Sequence, residues 1–162
     1  MKQYKAYVNG QFKTSTDGTW ISVFYPATGE LVGKVPACTK EDAEQAIQSA
    51  KKAYRYWKLI PSYQRAEYLM KFLKLMKSKE HLNEIAKAIT LEMGKPLSAA
   101  ESEVYYAAEL GEYHTQWARR IEGEIVDSDN PSEKILTYRE PLGVVVVIVP
   151  WNFPIYVLIR KV

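Results

Sequence analysis

Asn152 is the residue of this sequence best placed to do chemistry. It stands in the run Val147-Ile148-Val149-Pro150-Trp151-Asn152-Phe153-Pro154. The preceding β-branched residues favour a strand, and Pro150, which has no N–H for a ladder, ends it. Asn152 is thereby delivered to the carboxyl end of a strand, outside which open α/β sheets bind their ligands. Its carboxamide NH2 is a neutral donor. Beside a reacting carbonyl, such a donor stabilises a developing oxyanion by ~2.7–4 kcal/mol. Trp151 offers a flat apolar wall and Pro150 stiffens the turn. On spacing alone the plainer reading is favoured, a rigid aromatic loop closing a strand, because a buried Asn more often satisfies backbone groups than takes part in catalysis.

Arg160 is the second candidate. It lies eight residues past Asn152, about two helical turns, which would let both face one side. A guanidinium holds a carboxylate or hydroxyl with a directed fork of donors. Against this stands a solvated basic helix face continued by Lys161. The sole cysteine, Cys38, excludes an internal disulfide and reads as a passive thiol. His81 and His114 are far apart and read as surface or interface residues. No zinc-ligand spacing, P-loop or internal repeat is visible, so no metal is expected.

The elements that must position these groups are legible as patterns. Tyr4 to Phe12 reads as a hairpin about the turn pair Asn9-Gly10. Trp20 to Phe24 and Leu31 to Val35 read as strands around the turn Pro26-Ala27-Thr28-Gly29-Glu30. Thr39 and Asp42 resemble a capping box opening a helix, whose apolar face is Ala43, Ala46, Ile47, Ala50, Tyr54 and Trp57. Pro61-Ser62 punctuates the chain before a second helix, Tyr63 to Lys77. Ser78 is placed to cap a third helix, which buries Leu82, Ile85, Ala86 and Ile89 and stops at Gly94-Lys95-Pro96. A fourth helix runs from about Leu97 to Arg120, inward through Ala100, Val104, Ala108 and Trp117. Glu124 to Val126 and Ile135 to Tyr138 read as strands. Val144 to Val149 is six consecutive β-branched residues without alternation, predicting a strand buried on both faces of a parallel sheet.

Of the 162 residues, 47% are hydrophobic and 25% charged, which excludes a disordered chain. The net charge of +3 and the scattered lysines give no footprint for nucleic acid. No secretory signal is visible, and the single cysteine fits a reducing, cytoplasmic setting. Gly143 to Ile159 carries 17 residues without a charge. A spanning helix needs ~20, and Pro150, Asn152 and Pro154 interrupt this run, so no membrane anchor is expected.

Pro150-Trp151-Asn152-Phe153-Pro154 resembles the signature of the aldehyde dehydrogenase superfamily at the end of the first strand of its NAD(P)-binding domain. Asn9-Gly10-Gln11-Phe12, Pro26-Ala27-Thr28-Gly29-Glu30 (with Tyr25 where Asn is usual), Glu92-Met93-Gly94-Lys95-Pro96 and Arg139-Glu140-Pro141-Leu142-Gly143-Val144 resemble further family segments. Together they extend the resemblance over essentially the whole chain. It implies an α/β fold of the aldehyde dehydrogenase kind in three parts. These are residues 1–122, the helical part of the cofactor domain with its leading hairpins; 123–140, two oligomerisation strands; and 141–162, the first strand and helix start of a Rossmann-like sheet. It implies that Asn152 is the oxyanion donor for a thiohemiacetal. Ile148, Val149, Pro150, Trp151 and Asn152 would line the cleft for NAD or NADP. In this family a Gly-x-Gly-x-x-Gly loop is not expected at this turn. Assembly as a homo-oligomer, dimer or tetramer, is implied through the strands within Glu124 to Arg139.

Trp117-Ala118-Arg119-Arg120-Ile121-Glu122-Gly123-Glu124 is most similar to the lactaldehyde and glycolaldehyde branch. Arg160-Lys161 is shared with that branch and with succinate-semialdehyde dehydrogenases, where the Arg lies near substrate. A short polar or acidic aldehyde is the implied substrate. The family's cysteine nucleophile and glutamate base lie downstream of the segment matched here. The expectation is therefore a truncated chain, inactive alone. The alternative is a non-catalytic partner that pairs through its oligomerisation strands with an intact subunit.

Overall fold

The computed structural model describes residues 2–162. The N-terminal strands are β1 (Lys2–Gln3), β2 (Ala6–Val8), β3 (Gln11–Lys13), β4 (Trp20–Phe24) and β5 (Leu31–Pro36). β2 and β3 form the expected hairpin in antiparallel register, Ala6 opposite Lys13. Asn9 and Gly10 both take positive φ, 53° and 75°, the two-residue turn whose twist matches its strands. β5 is the middle strand of a three-stranded sheet, parallel to β1 and antiparallel to β4.

Four longer helices follow, α1 (Lys40–Trp57), α2 (Ser62–Met76), α3 (Lys79–Met93) and α4 (Leu97–Thr115). The capping box at α1 is formed as the sequence suggests. Thr39 Oγ1 accepts from the Asp42 amide at 3.3 Å and Asp42 Oδ2 accepts from the Thr39 amide at 2.8 Å. That backbone bond, with a second from Thr16, holds the Asp42 carboxyl below its ordinary range. In the loop between β3 and β4, the Ser15 hydroxyl and both donors of Thr19 lower the Asp17 carboxyl pKa to about 2. Ser78 occupies the position expected of a cap at α3, but its hydroxyl bonds to His81 Nδ1 at 3.2 Å and not to a helix amide. α3 ends on Gly94, at φ 80°, a left-handed conformation that favours glycine.

The core is built around α4. Its buried face is Ala100, Glu103, Val104, Ala107, Ala108 and Gly111, the three- and four-residue steps of a helix stripe. Against it pack Leu73 and Met76 of α2, Ala86 and Ile89 of α3, and Ile159 of α5 (Pro154–Ile159). The small side chains on α4 let all three neighbours approach closely. α4 stops at Thr115 and the chain tightens into a 3-10 helix, Gln116–Arg119. Trp117, expected to face inward, is 47% exposed; it lies nine residues past Ala108, about two and a half helical turns, and so on the opposite side of the helix.

Two further strands, β6 (Glu124–Asp127) and β7 (Lys134–Thr137), pair antiparallel as an isolated ribbon. The expected strand at Val144 to Val149 is not formed. Among the described residues it has no ladder partner, and Val145, Val146 and Ile148 are exposed. Strand composition is present, but a parallel strand exists only by pairing with neighbours.

A test of this packing is Gly111→Val. A Cβ at Gly111 would meet Leu73 Cδ2 at 2.6 Å and Ile159 Cγ2 at 3.0 Å. Both are core residues, so the added side chain should cost ~1–3 kcal/mol. A lowered urea midpoint at unchanged m-value is the expected result.

Candidate active site

Glu103 is the one carboxylate on the buried face of α4, with its side chain 1% exposed. A charge there is tolerated only when paired and hydrogen-bonded, and both oxygens are engaged. Oε2 forms an ion pair with Lys95 Nζ, itself 11% exposed. Oε1 accepts from the backbone amides of Ile155 at 3.1 Å and Tyr156 at 3.2 Å. These are free donors of the first turn of α5, so the carboxylate caps that helix and meets the positive end of its dipole. Pro154 lies in the same turn, where its missing N–H costs nothing.

Lys95 reaches the preceding loop as well. Nζ donates to the main-chain carbonyl of Asn152 at 2.7 Å and stands 4.0 Å from the Phe153 ring centroid, within cation–π range. Thus the residue after the Gly94 turn and one residue of α4 together hold the loop at Asn152-Phe153 and the start of α5.

A cleft of about 890 Å³ opens between α4 and α5. Ser102 and Tyr106 line it from α4, and Phe153, Tyr156, Val157 and Arg160 from the other wall. Arg160 is thus placed in a cleft. The expectation that Asn152 and Arg160 share one helix face is corrected in its geometry. α5 begins at Pro154 with Phe153 as its N-cap, so Asn152 precedes the helix. Arg160 and Phe153 line the cleft, and Asn152, next to Phe153 in the chain, does not line it.

The remaining candidates form an exposed run. Ile148 is 91% and Trp151 76% exposed; Val149 is half-buried, and Pro150 and Asn152 are exposed. Their apolar surface suits the flat rings of a dinucleotide. The first turn of α5 does not suit its phosphates, because Glu103 already occupies those amides. Cys38, His81 and His114 are all exposed. Lys95 and Glu103 carried no role in the sequence reading. The signal was nevertheless present, since Glu103 is three residues past Ala100 and one before Val104, a charge inside an apolar stripe.

Residues 12–162 match the family model described as "Aldehyde dehydrogenase family". The chain belongs to the aldehyde dehydrogenase family. It is 40% identical over 159 residues to the lactaldehyde dehydrogenase of Escherichia coli (strain K12), covering 98% of this chain and 33% of that protein. It superposes on the crystal structure of lactaldehyde dehydrogenase from Escherichia coli with a TM-score of 0.91, covering 98% of this chain and 33% of that one. A succinate-semialdehyde dehydrogenase [NADP(+)] of the same organism is 33% identical, with 97% and 32% covered. The NADP-dependent glyceraldehyde-3-phosphate dehydrogenase from Bacillus halodurans C-125, solved in complex with NADP, is 32% identical, with a TM-score of 0.91 and 99% and 34% covered. The chain spans about a third of the length of these relatives.

Proposed function

We propose that these residues serve an enzyme that oxidises a short polar or acidic aldehyde to its carboxylic acid with NAD or NADP. The observation that carries the reading is the cleft between α4 and α5, lined by Arg160 and by Phe153, the neighbour of Asn152. Asn152 is the oxyanion donor, its neutral NH2 matched to the charge that develops on the aldehyde oxygen. Arg160 holds the polar or carboxylate end of the substrate. Ile148, Val149, Pro150 and Trp151 form the apolar wall against which the cofactor rests; when bound, it supplies the hydride acceptor. Its phosphates take donors from elsewhere than α5. The thiol nucleophile and the carboxylate that activates water come, in this reading, from parts of the enzyme outside these 162 residues. The setting in this reading is cytoplasmic, which the single cysteine fits. No helix among the described residues is long and apolar enough to cross a membrane.

In the full-length enzyme, Asn152→Ala should lower kcat by ~10²–10³, the usual cost of losing one oxyanion donor, with little change in aldehyde KM. Steady-state kinetics that find kcat unchanged would remove Asn152 from the chemistry. Arg160→Leu should raise KM for glycolaldehyde and succinate semialdehyde and leave an alkyl aldehyde such as propanal largely unaffected. An unchanged preference for polar over alkyl aldehydes contradicts the assignment.

A second reading concerns assembly. In the β6–β7 ribbon, Ile125 lies opposite Leu136 and Val126 opposite Ile135. Successive residues of a strand face opposite sides, so both faces of the ribbon are apolar, and all four side chains are exposed. A ribbon with one solvated face alternates apolar with polar; this one calls for cover on both. The occupant we assign is a second subunit, giving a homo-oligomer, dimer or tetramer. The same surface is what a non-catalytic chain would use to join an intact subunit. Leu136→Lys should shift the full-length protein toward monomer in sedimentation velocity, and an unaltered profile would speak against this surface.

A further inference from the structure

We propose that Lys95 and Glu103 act together as a positioning pair for Asn152, fixing the direction in which its carboxamide is presented. The inference rests on the reading of Asn152 as the oxyanion donor. Three attachments meet at consecutive points of one short segment. Lys95 Nζ takes the Asn152 carbonyl at 2.7 Å and lies over the Phe153 ring. Glu103 Oε1 takes the amides of Ile155 and Tyr156. The ion pair joins the two side chains. Anchoring the Asn152 carbonyl fixes the peptide plane that follows its Cα, and anchoring the next helix fixes where that plane sits. Upstream, Val144 to Val149 has no ladder partner among the described residues, so within this chain the segment is held from α3's end and α4.

The pair also has the composition that positioning requires. Lys95 donates to a carbonyl and a carboxylate at once, which a neutral side chain of that reach does not reproduce. Both side chains are withdrawn from water, where hydrogen bonds and charge pairs are strongest and loss of one partner is most costly. Neither is the group that meets substrate in this account. Their effect is on geometry, and a misplacement of ~1 Å remote from the reacting atoms can cost ~10²-fold in rate.

The test uses the full-length enzyme with Lys95→Met, Lys95→Arg, Glu103→Gln and Asn152→Ala. Two quantities are read, amide exchange over residues 150–158 and the rate of the first-turnover burst of reduced cofactor. Lys95→Met should speed exchange at 152–156 and slow the burst by ~10–100-fold, leaving the KM values for aldehyde and cofactor near those of the parent. Lys95→Arg, which keeps the charge and the donors, should recover most of that loss. Glu103→Gln, close to isosteric, should show the same pattern as Lys95→Met and serves in its place if that variant does not fold. Parental exchange in both Lys95→Met and Glu103→Gln overturns the clamp. Faster exchange with a parental burst, while Asn152→Ala is slow, overturns the positioning role and leaves the oxyanion reading intact. A parental burst in Asn152→Ala overturns the oxyanion reading and, with it, the catalytic meaning of the pair.

Discussion

The carboxylate of Glu103 is the point on which the rest of this structure turns. An isolated carboxylate in an apolar interior is so unfavourable that it neutralises or stays out. This one is kept by three donors, one ammonium and two backbone amides at the start of α5. The ammonium and the two amides come from different constraints. Lys95 is in reach because α3 stops at Gly94 and the chain reverses into α4. The amides are available because α5 begins there and its first turn has no partners of its own. Removing one donor leaves a buried charge under-satisfied, so the three elements are tied more tightly than apolar packing alone would tie them.

This arrangement explains why a six-residue helix can be well placed. Isolated helices of that length are not stable in water. α5 is held at one end by the carboxylate cap and at the other by Ile159, which packs into the core where Gly111 leaves room. The cleft between α4 and α5 follows from both anchors, and Arg160 lines it. It also explains a departure from the usual α/β logic. A helix N-terminus is a ready anion site, but here the anion is the protein's own side chain.

Much of the fold was legible in the sequence, because local signals and tertiary structure agreed. Asn9-Gly10 makes the turn expected of it, Thr39 and Asp42 form the capping box, and Gly94 ends α3. The failures have physical causes. Trp117 lies outside the inward stripe because nine residues past Ala108 is about two and a half helical turns. Val144 to Val149 has the composition of a buried strand, but pairing is a property of neighbours and not of the strand itself. In the candidate site, residue type singles out Asn152 and Arg160. The helical spacing between them does not hold, because α5 begins only at Pro154. Lys95 and Glu103 carry no local signal of their role. Their meaning lies in a contact 52 and 57 residues distant along the chain, which no local pattern encodes. Only the charge in the apolar stripe of α4 hinted at it.

In the proposed function, Asn152 is held so that its carboxamide meets the oxygen of a reacting aldehyde. A crystal structure of the full-length enzyme carrying a covalently trapped substrate aldehyde measures this directly. Asn152 Nδ2 is expected within ~2.7–3.1 Å of the former carbonyl oxygen, with the Asn152 main-chain carbonyl still accepting from Lys95. A carboxamide turned away from that oxygen, with the oxygen held by other donors, would contradict it.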